Sequence, residues 1–296
     1  MTTHPPLPAL PTPAPPTPRR GFWTRALRHR SFALGLALTA LLLASAGLSW
    51  LWTPWPPGAI DIPARLQPPG GGHWLGTDNL GRDVLSQIMA GARNSILVGL
   101  IAVGIGVAGG VLLGMLAAAR GGWVDTLVMR AADFTLAFPA ILLAIMLTAA
   151  LGAGIGNAIV AIGIANVPIF ARLTRATARS VWTREFVLAA RSCGKGGARI
   201  AFEHVLPNIA PAIVVQATVE FAIAILAEAA LSYLGLGTQP PHVSWGRMLA
   251  EAQTLMFQAP RLAIYPGLAI ALAVLGLNLL GDGLRDLLDP RLARRR

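Results

Sequence analysis

Six long apolar segments, separated by shorter polar ones, dominate the sequence. They cover residues 31–52, 96–119, 134–151, 155–171, 209–231 and 262–280. A hydrocarbon core about 30 Å thick needs about 20 helical residues, because an α-helix rises about 1.5 Å per residue. A helix also satisfies its backbone polar groups within one segment, as lipid requires. The pattern therefore predicts an all-α polytopic membrane protein with about six transmembrane helices.

The composition supports a membrane protein rather than a soluble domain. Hydrophobic residues make up 54% of the chain, the mean hydropathy is +0.61 and only 12% of residues are charged, whereas soluble domains contain about 25% charged residues. The first apolar segment follows basic residues, as the core of a cleaved signal peptide does. Its length of about 22 residues exceeds that of such a core, and no clear small-x-small cleavage site precedes Pro54. We interpret it as an uncleaved first span.

The net charge of +11 raises the alternative of a nucleic-acid binder. Such a protein needs a basic patch interleaved with aromatic residues, whereas these Lys and Arg residues lie at the chain ends and between apolar segments. We therefore expect a lipid bilayer, and no nucleic acid, as a partner. With the N-terminus inside, the four inner segments hold five, two, seven and five of the 24 Lys and Arg residues, and the outer segments hold five. This asymmetry predicts an N-in, C-in topology.

The sequence divides into three parts. Residues 1–20 contain eight prolines and are predicted to form a disordered cytoplasmic tail, because proline excludes helix and sheet. Residues 21–94 are predicted to contain the first transmembrane helix and a periplasmic segment. Residues 95–296 are predicted to form a core of five membrane helices, with a long inner loop at about 172–208.

The inner loop has a helical pattern rather than the composition of a disordered segment. Residues 185–193 contain helix formers and no helix breaker, and residues 194–197 form a glycine-rich turn in which a positive φ is favourable. Residues 198–205 are again compatible with a helix, which Pro207 is expected to end before the fifth span. The sequence thus predicts two short helices around a turn. The alternative is a helical hairpin that has no binding partner.

This loop resembles the EAA loop of ABC importer permeases, the coupling element that docks into a groove on the ATPase. The general family pattern is E-A-A, three residues, G, nine residues, I-x-L-P. The residues that match it are Ala189, Ala190, Gly194, Leu206 and Pro207. The resemblance implies a rigid coupling element. Small side chains at 189 and 190 permit close approach to a groove, and Gly194 permits the chain to reverse direction.

Two positions depart from the general pattern, since Leu188 replaces the glutamate and His204 replaces the isoleucine. Both departures resemble the variant of this loop in the oligopeptide, dipeptide and nickel importers. The other residues that fit the variant are Glu185, Arg191, Arg199 and Asn208. The resemblance therefore narrows the expected family to these importers.

Four further segments resemble the second, C-type permease of peptide and nickel importers. They are HWLGTDNLGRDVLSQIMAGARNS (73–95), ARGGWVDTLVMRAADFTLAFP (119–139), EAALSYLGLGTQPPHVSWGRML (228–249) and GDGLRDLLDPR (281–291). The resemblance implies the transmembrane domain of a type I ABC importer in the bacterial cytoplasmic membrane. The implied partners are a homologous second permease, two ABC ATPase subunits and an extracytoplasmic substrate-binding protein. Di- and oligopeptides are the expected substrates, and nickel or a nickel chelate is the alternative.

The chain lacks the residues that hydrolyse ATP. A P-loop reads G-x-x-x-x-G-K-[S/T], but the only lysine, Lys195, is followed by Gly196, and Ala189 stands where the first glycine belongs. We expect a non-catalytic subunit that binds no cofactor, with ATP and Mg bound by the partner ATPase subunits. The single Cys193 and the scattered histidines show no metal-ligand spacing, so no metal site is predicted.

Polar residues in the fifth span form one group of candidate functional residues. Gln216, Glu220 and Glu228 lie four and eight positions apart, which places them on nearly one face of a helix. Because carboxylates within a membrane are costly, they usually face the bundle interior or a water-filled path. Gln216 and Glu220 are predicted to line the translocation path. Glu228, nearer the outer end, is interpreted as a structural partner or a path residue.

Two other groups of residues have a physical interpretation of their own. Asp78, Arg82 and Asp83 are expected at the periplasmic rim, where they can pair with each other and either contact a binding protein or only fix the loop. Gly106, Gly110 and Gly114 lie four apart in the second span, which predicts a ridge of small residues for close helix packing. The alternative is the ordinary abundance of glycine in membrane helices.

Two other classes of membrane protein fit the sequence less well. An ion-coupled secondary transporter often shows internal repeats and buried charge pairs, but no clear repeat is found here, and such a carrier has no use for the patterned inner loop. A membrane-embedded enzyme would need a catalytic motif, and the sequence contains no HExxH and no serine elbow. ATP depletion with the ion gradient maintained separates these classes from an ATP-driven importer.

Overall fold

The computed structural model describes Ala26 and residues 29–288, and the regular structure there is helical, without a β-strand. The helices are α1 (Arg30–Leu51), α2 (Val84–Arg120), α3 (Gly122–Leu136), α4 (Ala140–Leu151), α5 (Ile155–Trp182), α6 (Glu185–Ser192), α7 (Gly197–Tyr233), α8 (Trp245–Ala252) and α9 (Arg261–Leu288). The all-α prediction is confirmed. The predictions for residues 1–20 and for the C-terminal basic residues lie outside the described residues.

The membrane-crossing helices agree with the predicted number. Five helices are long and apolar enough to cross a membrane, namely α1, α2, α5, α7 and α9, and α3 with α4 makes a sixth span if the two are counted together. Several are longer than their apolar segments, because polar residues at their ends continue the helix. In α2 the helix already begins at Val84, where the Asp83 side chain accepts a hydrogen bond from the Ser86 backbone N–H.

The predicted third span, 134–151, is not one straight helix. It is divided between α3 and α4, whose axes differ by 88°. Pro139 precedes α4, and a proline has no N–H to donate and disfavours helical backbone in the residue before it. The 12 residues of α4 rise only about 18 Å, less than the hydrocarbon thickness. The prediction was wrong in treating this segment as a continuous span.

The most extensive helix contact joins α2 to α5, and the predicted glycine ridge forms it. Gly106, Gly110 and Gly114 are all buried. At Gly110 an added Cβ would lie 2.4 Å from the Phe170 Cβ and 2.6 Å from the Val167 carbonyl oxygen. A side chain there has no room, so the two backbones approach as closely as small residues allow. The packing interpretation of these glycines is confirmed.

Helix α7 is continuous through both of its prolines. It is α-helical over Gly197–Ile200, π-helical over Ala201–Val205 and α-helical again over Leu206–Tyr233. The expectation that Pro207 ends a separate short helix was wrong. The π-helical turn lets the Leu206 N–H bond to the Ala201 carbonyl, and the Asn208 Nδ2 donates to the His204 carbonyl at 2.7 Å. These bonds accommodate the missing N–H of the proline within the helix.

The bundle has two distinct ends. At one end lie α6, the start of α7 and the contact between His29 of α1 and Asp286 of α9, whose Nε2 and Oδ2 are 3.3 Å apart. We call it the α6 end. At the opposite, α8 end, helix α8 and residues 52–83 cover the start of α2. Helix α7 is 37 residues long, about 55 Å, and runs from one end to the other.

Candidate functional site

Helix α6 is a short helix with well-defined ends. It begins at Glu185 after the extended Arg184 and ends at Ser192, with Cys193 as its C-cap residue. Gly194 then has a φ of +79°, a conformation that is unfavourable for residues with a Cβ. The backbone N–H groups of Gly194 and Lys195 donate to the carbonyls of Arg191 and Ala190 at 2.9 and 3.1 Å. The glycine is therefore required for the reversal that the sequence predicted at this position.

Buried apolar side chains hold α6 in place. Val187 on α6, together with Ile200 and Val205 at the start of α7, is fully buried. The opposite side of the same element is apolar and exposed, with Leu188 at 52% and Phe202 at 70% of their maximum exposure. These exposed apolar side chains make the outside of α6 and the start of α7 a candidate surface for binding another protein.

Polar contacts join the turn after α6 to the first turns of α7. Glu203 accepts hydrogen bonds from Lys195 Nζ at 2.6 Å and from Arg199 Nε at 2.5 Å. Lys195 Nζ is also 3.1 Å from His204 Nε2. The Arg191 guanidinium stacks over the Trp182 ring, 5.2 Å from its centroid. These contacts make α6, the turn and the start of α7 one connected element.

The structure brings the predicted loop residues together in this element. Glu185, Ala189, Arg191 and Gly194 are exposed, while Ala190 faces the interior. The remaining predicted residues lie on α7, where Arg199 and Pro207 are exposed and His204 and Leu206 are half-buried. The spatial grouping of these residues follows the sequence pattern, and their part in coupling stays a prediction.

Gln216 and Glu220 form a polar pair within α7. Gln216 Nε2 donates to Glu220 Oε1 at 2.9 Å, so the two residues do share a helix face. Glu220 is only 3% exposed, and its Oε2 has no hydrogen-bond partner among the described residues. In this conformation Glu220 lies in the bundle interior and Gln216 is half-buried, and the place of the pair on a translocation path stays a prediction.

Arg82 and Asp78 form the centre of an ion-pair network at the α8 end. Arg82 Nε donates to Asp78 Oδ2 at 2.6 Å, and Arg82 Nη2 donates to Glu251 of α8. Glu251 also accepts from Arg247 Nε at 2.8 Å. Burial acts to lower the pKa of Arg82, but the charges of Asp78 and Glu251 outweigh it, so this pKa is raised above its ordinary value. Arg82 therefore keeps its charge at every physiological pH.

Asp83 does not take part in the ion pair that its two predicted partners, Asp78 and Arg82, form with each other. One of its carboxylate oxygens lies 3.0 Å from His73 Nδ1, and the other accepts from the backbone N–H and the hydroxyl of Ser86 at 2.8 and 2.7 Å. The expected mutual pairing thus holds for Asp78 and Arg82, whereas Asp83 caps α2. Asp78 and Asp83 are both buried and hold the segment before α2 in place, and whether these residues also contact a binding protein stays a prediction.

Sequence reasoning missed several residues of this network. Glu251 and Arg247 lie about 170 positions after Arg82, so no local spacing connects them. The sequence predicted no role for His73, because the five histidines are scattered along the chain and show no ligand spacing. The sequence did contain one indication of this network, the pair Arg247 and Glu251, because opposite charges four positions apart on a helix usually interact.

Removing the Arg82 guanidinium should destabilise the α8 end. An Arg82→Met substitution leaves two carboxylates without their shared cation, and breaking such a partly buried pair costs about 3 kcal/mol. The matched control is Arg247→Met, which breaks one half-exposed pair and should cost less than about 1 kcal/mol. Thermal unfolding of both variants in detergent, followed by circular dichroism, measures the difference. A melting temperature of Arg82→Met equal to that of the wild type would show that the Arg82 ion pairs do not stabilise the α8 end.

Comparison with known proteins places the chain in a family. Residues 110–294, well over half of the chain, match the family model described as binding-protein-dependent transport system inner membrane component. The chain belongs to this family. It is therefore an inner-membrane transport component with several membrane-spanning helices.

Similar proteins are named for peptide transport. The chain is 48% identical over 228 residues to the dipeptide transport system permease protein DppC of Alkalihalophilus pseudofirmus, covering 77% of this chain and 75% of that protein. It is 43% identical to the glutathione transport system permease protein GsiD of Pectobacterium atrosepticum, over 93% and 92% of the two chains. The di/tripeptide transport system permease protein DppC of Pseudomonas aeruginosa is 44% identical, over 94% and 93%.

A solved structure shares the fold. A chain of the MetNI methionine ABC transporter, in an inward-facing conformation, matches with a TM-score of 0.52 and 20% sequence identity. The match covers 70% of this chain and 96% of that one. The expected fold of a type I ABC transporter membrane domain is confirmed.

Proposed function

We propose that this chain is the permease subunit of an ATP-driven importer that moves di- and oligopeptides across the cytoplasmic membrane. Its family membership and its relatives named for peptide transport support this function. In this proposal a second, homologous permease completes the pathway. Two separate ABC ATPase subunits bind ATP and Mg, and an extracytoplasmic binding protein delivers the peptide.

The observation that carries the proposal is the form of the α6 element. A loop that transmits force must be rigid and must present a surface to its partner. Val187 and Ile200 anchor α6 from beneath, and Glu203 ties the turn to α7 through two ion pairs. On the other side Leu188 and Phe202 are exposed. An ATPase groove that accepts this apolar surface accounts for side chains that would otherwise face water.

The same proposal orients the chain in the membrane. The α6 end would lie in the cytoplasm, because it holds most of the Lys and Arg residues between the spans. The α8 end would then face the periplasm, where residues 52–83 and α8 form a cover that the binding protein can approach.

The continuity of α7 suggests how the ATPase acts on the pathway. When ATP closes the ATPase dimer, α6 moves with the ATPase surface, and the connected start of α7 moves with α6. Because α7 is continuous over 37 residues, a movement of its start would be carried along the helix toward the opposite end. Gln216 and Glu220 lie midway along this helix. They would become accessible to substrate when the bundle opens outward, and the outward and inward states would alternate with each ATP cycle.

Peptides are favoured over nickel as substrates. The relatives compared above are named for dipeptide, glutathione and di/tripeptide transport. A path that carries peptides needs polar side chains which accept hydrogen bonds without holding one ligand tightly, and Gln216 with Glu220 fits that requirement. An ion-coupled secondary transporter would have no use for the α6 element.

Purification of the chain from its native membrane in mild detergent tests this function. Mass spectrometry of the co-eluting proteins is expected to find a second permease and one or two P-loop ATPases. In cells whose ion gradient is maintained, ATP depletion is expected to reduce peptide uptake at least about tenfold, since transport without ATP lacks its driving force. Recovery of the chain alone, with uptake that survives ATP depletion, would contradict the proposal and favour an ion-coupled carrier.

A further inference from the structure

Glu228 is a fully buried carboxylate near the α8 end of α7, and its exposure is 0%. Its Oε1 accepts hydrogen bonds from Ser232 Oγ at 2.7 Å and from Thr238 Oγ1 at 3.1 Å. Ser232 belongs to α7, whereas Thr238 belongs to the loop that follows the helix. A buried acidic group is costly, so its position at the junction between a helix and a loop needs a physical explanation.

The loop between α7 and α8 is bound closely to the end of α7. The Thr238 N–H donates to Ser232 Oγ at 2.9 Å, so Glu228, Ser232 and Thr238 form a closed ring of hydrogen bonds. At the far end of the loop, a Cβ at Gly246 would lie 2.0 Å from the Ala229 carbonyl oxygen. The start of α8 therefore lies directly against α7.

Helix α8 is also bound to α2. Trp245 Nε1 donates to the Ile88 carbonyl at 2.9 Å, and Asn94 Nδ2 donates to the Val243 carbonyl. The ion pair between Arg82 and Glu251 joins the segment before α2 to α8. We call residues 234–252, which contain this loop and α8, the outer cap. The outer cap bridges α7 and α2 at the end of the bundle opposite α6.

We propose that Glu228 is the positioning residue through which movement of α7 reaches the outer cap, so that the α6 element and the external face of the protein move as one unit. The proposal rests on the proposed importer function. It adds that conformational changes caused by the binding protein and by the ATPase are transmitted along one route, through Glu228 and along α7.

The chemistry of the group explains why a carboxylate occupies this position. One carboxylate oxygen accepts two hydrogen bonds at once, and it therefore holds a helix hydroxyl and a loop hydroxyl at a fixed separation. In a buried site such bonds are stronger than in water. An apolar residue of similar size would leave the Ser232 and Thr238 hydroxyls without this acceptor. The loop would keep its backbone bonds to Leu231 and Ser232 but would lose the side-chain link that fixes Thr238 to the helix.

Three substitutions in the complete transporter, reconstituted with its ATPases and binding protein, test the proposal. Glu228→Leu removes the acceptor. Glu228→Gln keeps an accepting oxygen in a side chain of the same size. Thr238→Val removes only the loop donor. Tyr233→Phe is the matched control, since it removes a half-exposed hydroxyl next to the ring. The measured quantity is the ATPase rate with peptide-loaded binding protein divided by the basal rate.

Glu228→Leu is expected to reduce this ratio about fivefold or more, the lower range of measured couplings between sites, with an unchanged basal rate. Thr238→Val should reproduce part of the loss, and adding it to Glu228→Leu should have no further effect. Glu228→Gln and Tyr233→Phe should retain at least half of the wild-type ratio. Rescue by glutamine identifies the accepting oxygen as the important feature.

The alternative outcomes are distinct from one another. A wild-type ratio in Glu228→Leu overturns this proposal and leaves the importer function intact. Equal loss of basal and stimulated rates in both Glu228→Leu and Thr238→Val overturns it as well, because that is the result of defective folding or assembly. Absence of ATPase activity in the wild-type complex overturns the importer function, and this proposal with it.

Discussion

A Leu188→Asp substitution is expected to abolish peptide uptake while the protein remains folded and inserted. Leu188 is half exposed on α6, so a charge there meets water in the free subunit and costs little. In the proposed complex the same charge would be buried against the ATPase without a partner. Hot-spot residues of this kind contribute about 2 kcal/mol or more, equivalent to about a 30-fold weaker association. Pull-down of the ATPase by the tagged permease measures the effect.

Thr183→Asp is the matched control for this substitution. Thr183 is exposed two residues before α6, and its hydroxyl donates to the nearby Ser180 carbonyl at 3.2 Å. The same charge at this position should leave association within about threefold of wild type, since exposed substitutions usually change free energies by less than about 0.5 kcal/mol. Normal uptake by Leu188→Asp would show that α6 is not the surface that contacts an ATPase.

A Gly110→Val substitution should prevent stable assembly of the bundle. The added Cβ would lie within 2.6 Å of a carbonyl oxygen of α5, and backbone cannot move aside as a flexible side chain can. Separating α2 from α5 would disturb the largest helix contact of the protein. Overpacking of this kind costs about 3 kcal/mol or more. The expected result is a much lower yield and a lower melting temperature in detergent.

Gly104→Val is the matched control in the same helix. No heavy atom of another part of the structure lies within 4 Å of a Cβ placed at Gly104, so the side chain would face outward from the bundle. Valine there should leave the melting temperature near the wild-type value. If both substitutions had equal effects, the cause would be helix propensity rather than the contact between α2 and α5.

The sequence was sufficient to predict the helices that cross the membrane. Long apolar segments have few alternatives in lipid, because every backbone polar group must be satisfied within the segment. The failures occurred at prolines. A break at Pro139 and continuity at Pro207 follow from the same chemistry. Which of the two occurs depends on whether nearby groups, here a π-helical turn and the Asn208 side chain, satisfy the carbonyls that the proline leaves free.

For the candidate functional residues, the sequence predicted which side chains lie near each other but not which of them are buried. Short-range groups were visible in the sequence: α6 with its glycine turn, Gln216 with Glu220, and Asp78 with Arg82 lie within a few positions of each other. Helical periodicity or turn chemistry is enough to bring such residues together. Which of these residues are buried could not be predicted from the sequence. Glu220 faces the bundle interior and Asp78 lies beneath α8 because helices distant in sequence cover them.

By itself the sequence determined the all-α membrane fold, the resemblance to importer permeases and the position of the patterned inner loop. Each of these depends on composition, apolar length or local spacing. Only the tertiary structure decided that Glu251 pairs with Arg82, that Trp245 and Asn94 bind α8 to α2, and that Glu228 lies in a closed ring beneath the outer cap. The first three of these contacts join residues far apart in the chain, and their geometry exists only after the helices have packed. The Glu228 ring spans only residues 228–238, but its closure depends on how the loop after α7 folds back onto that helix.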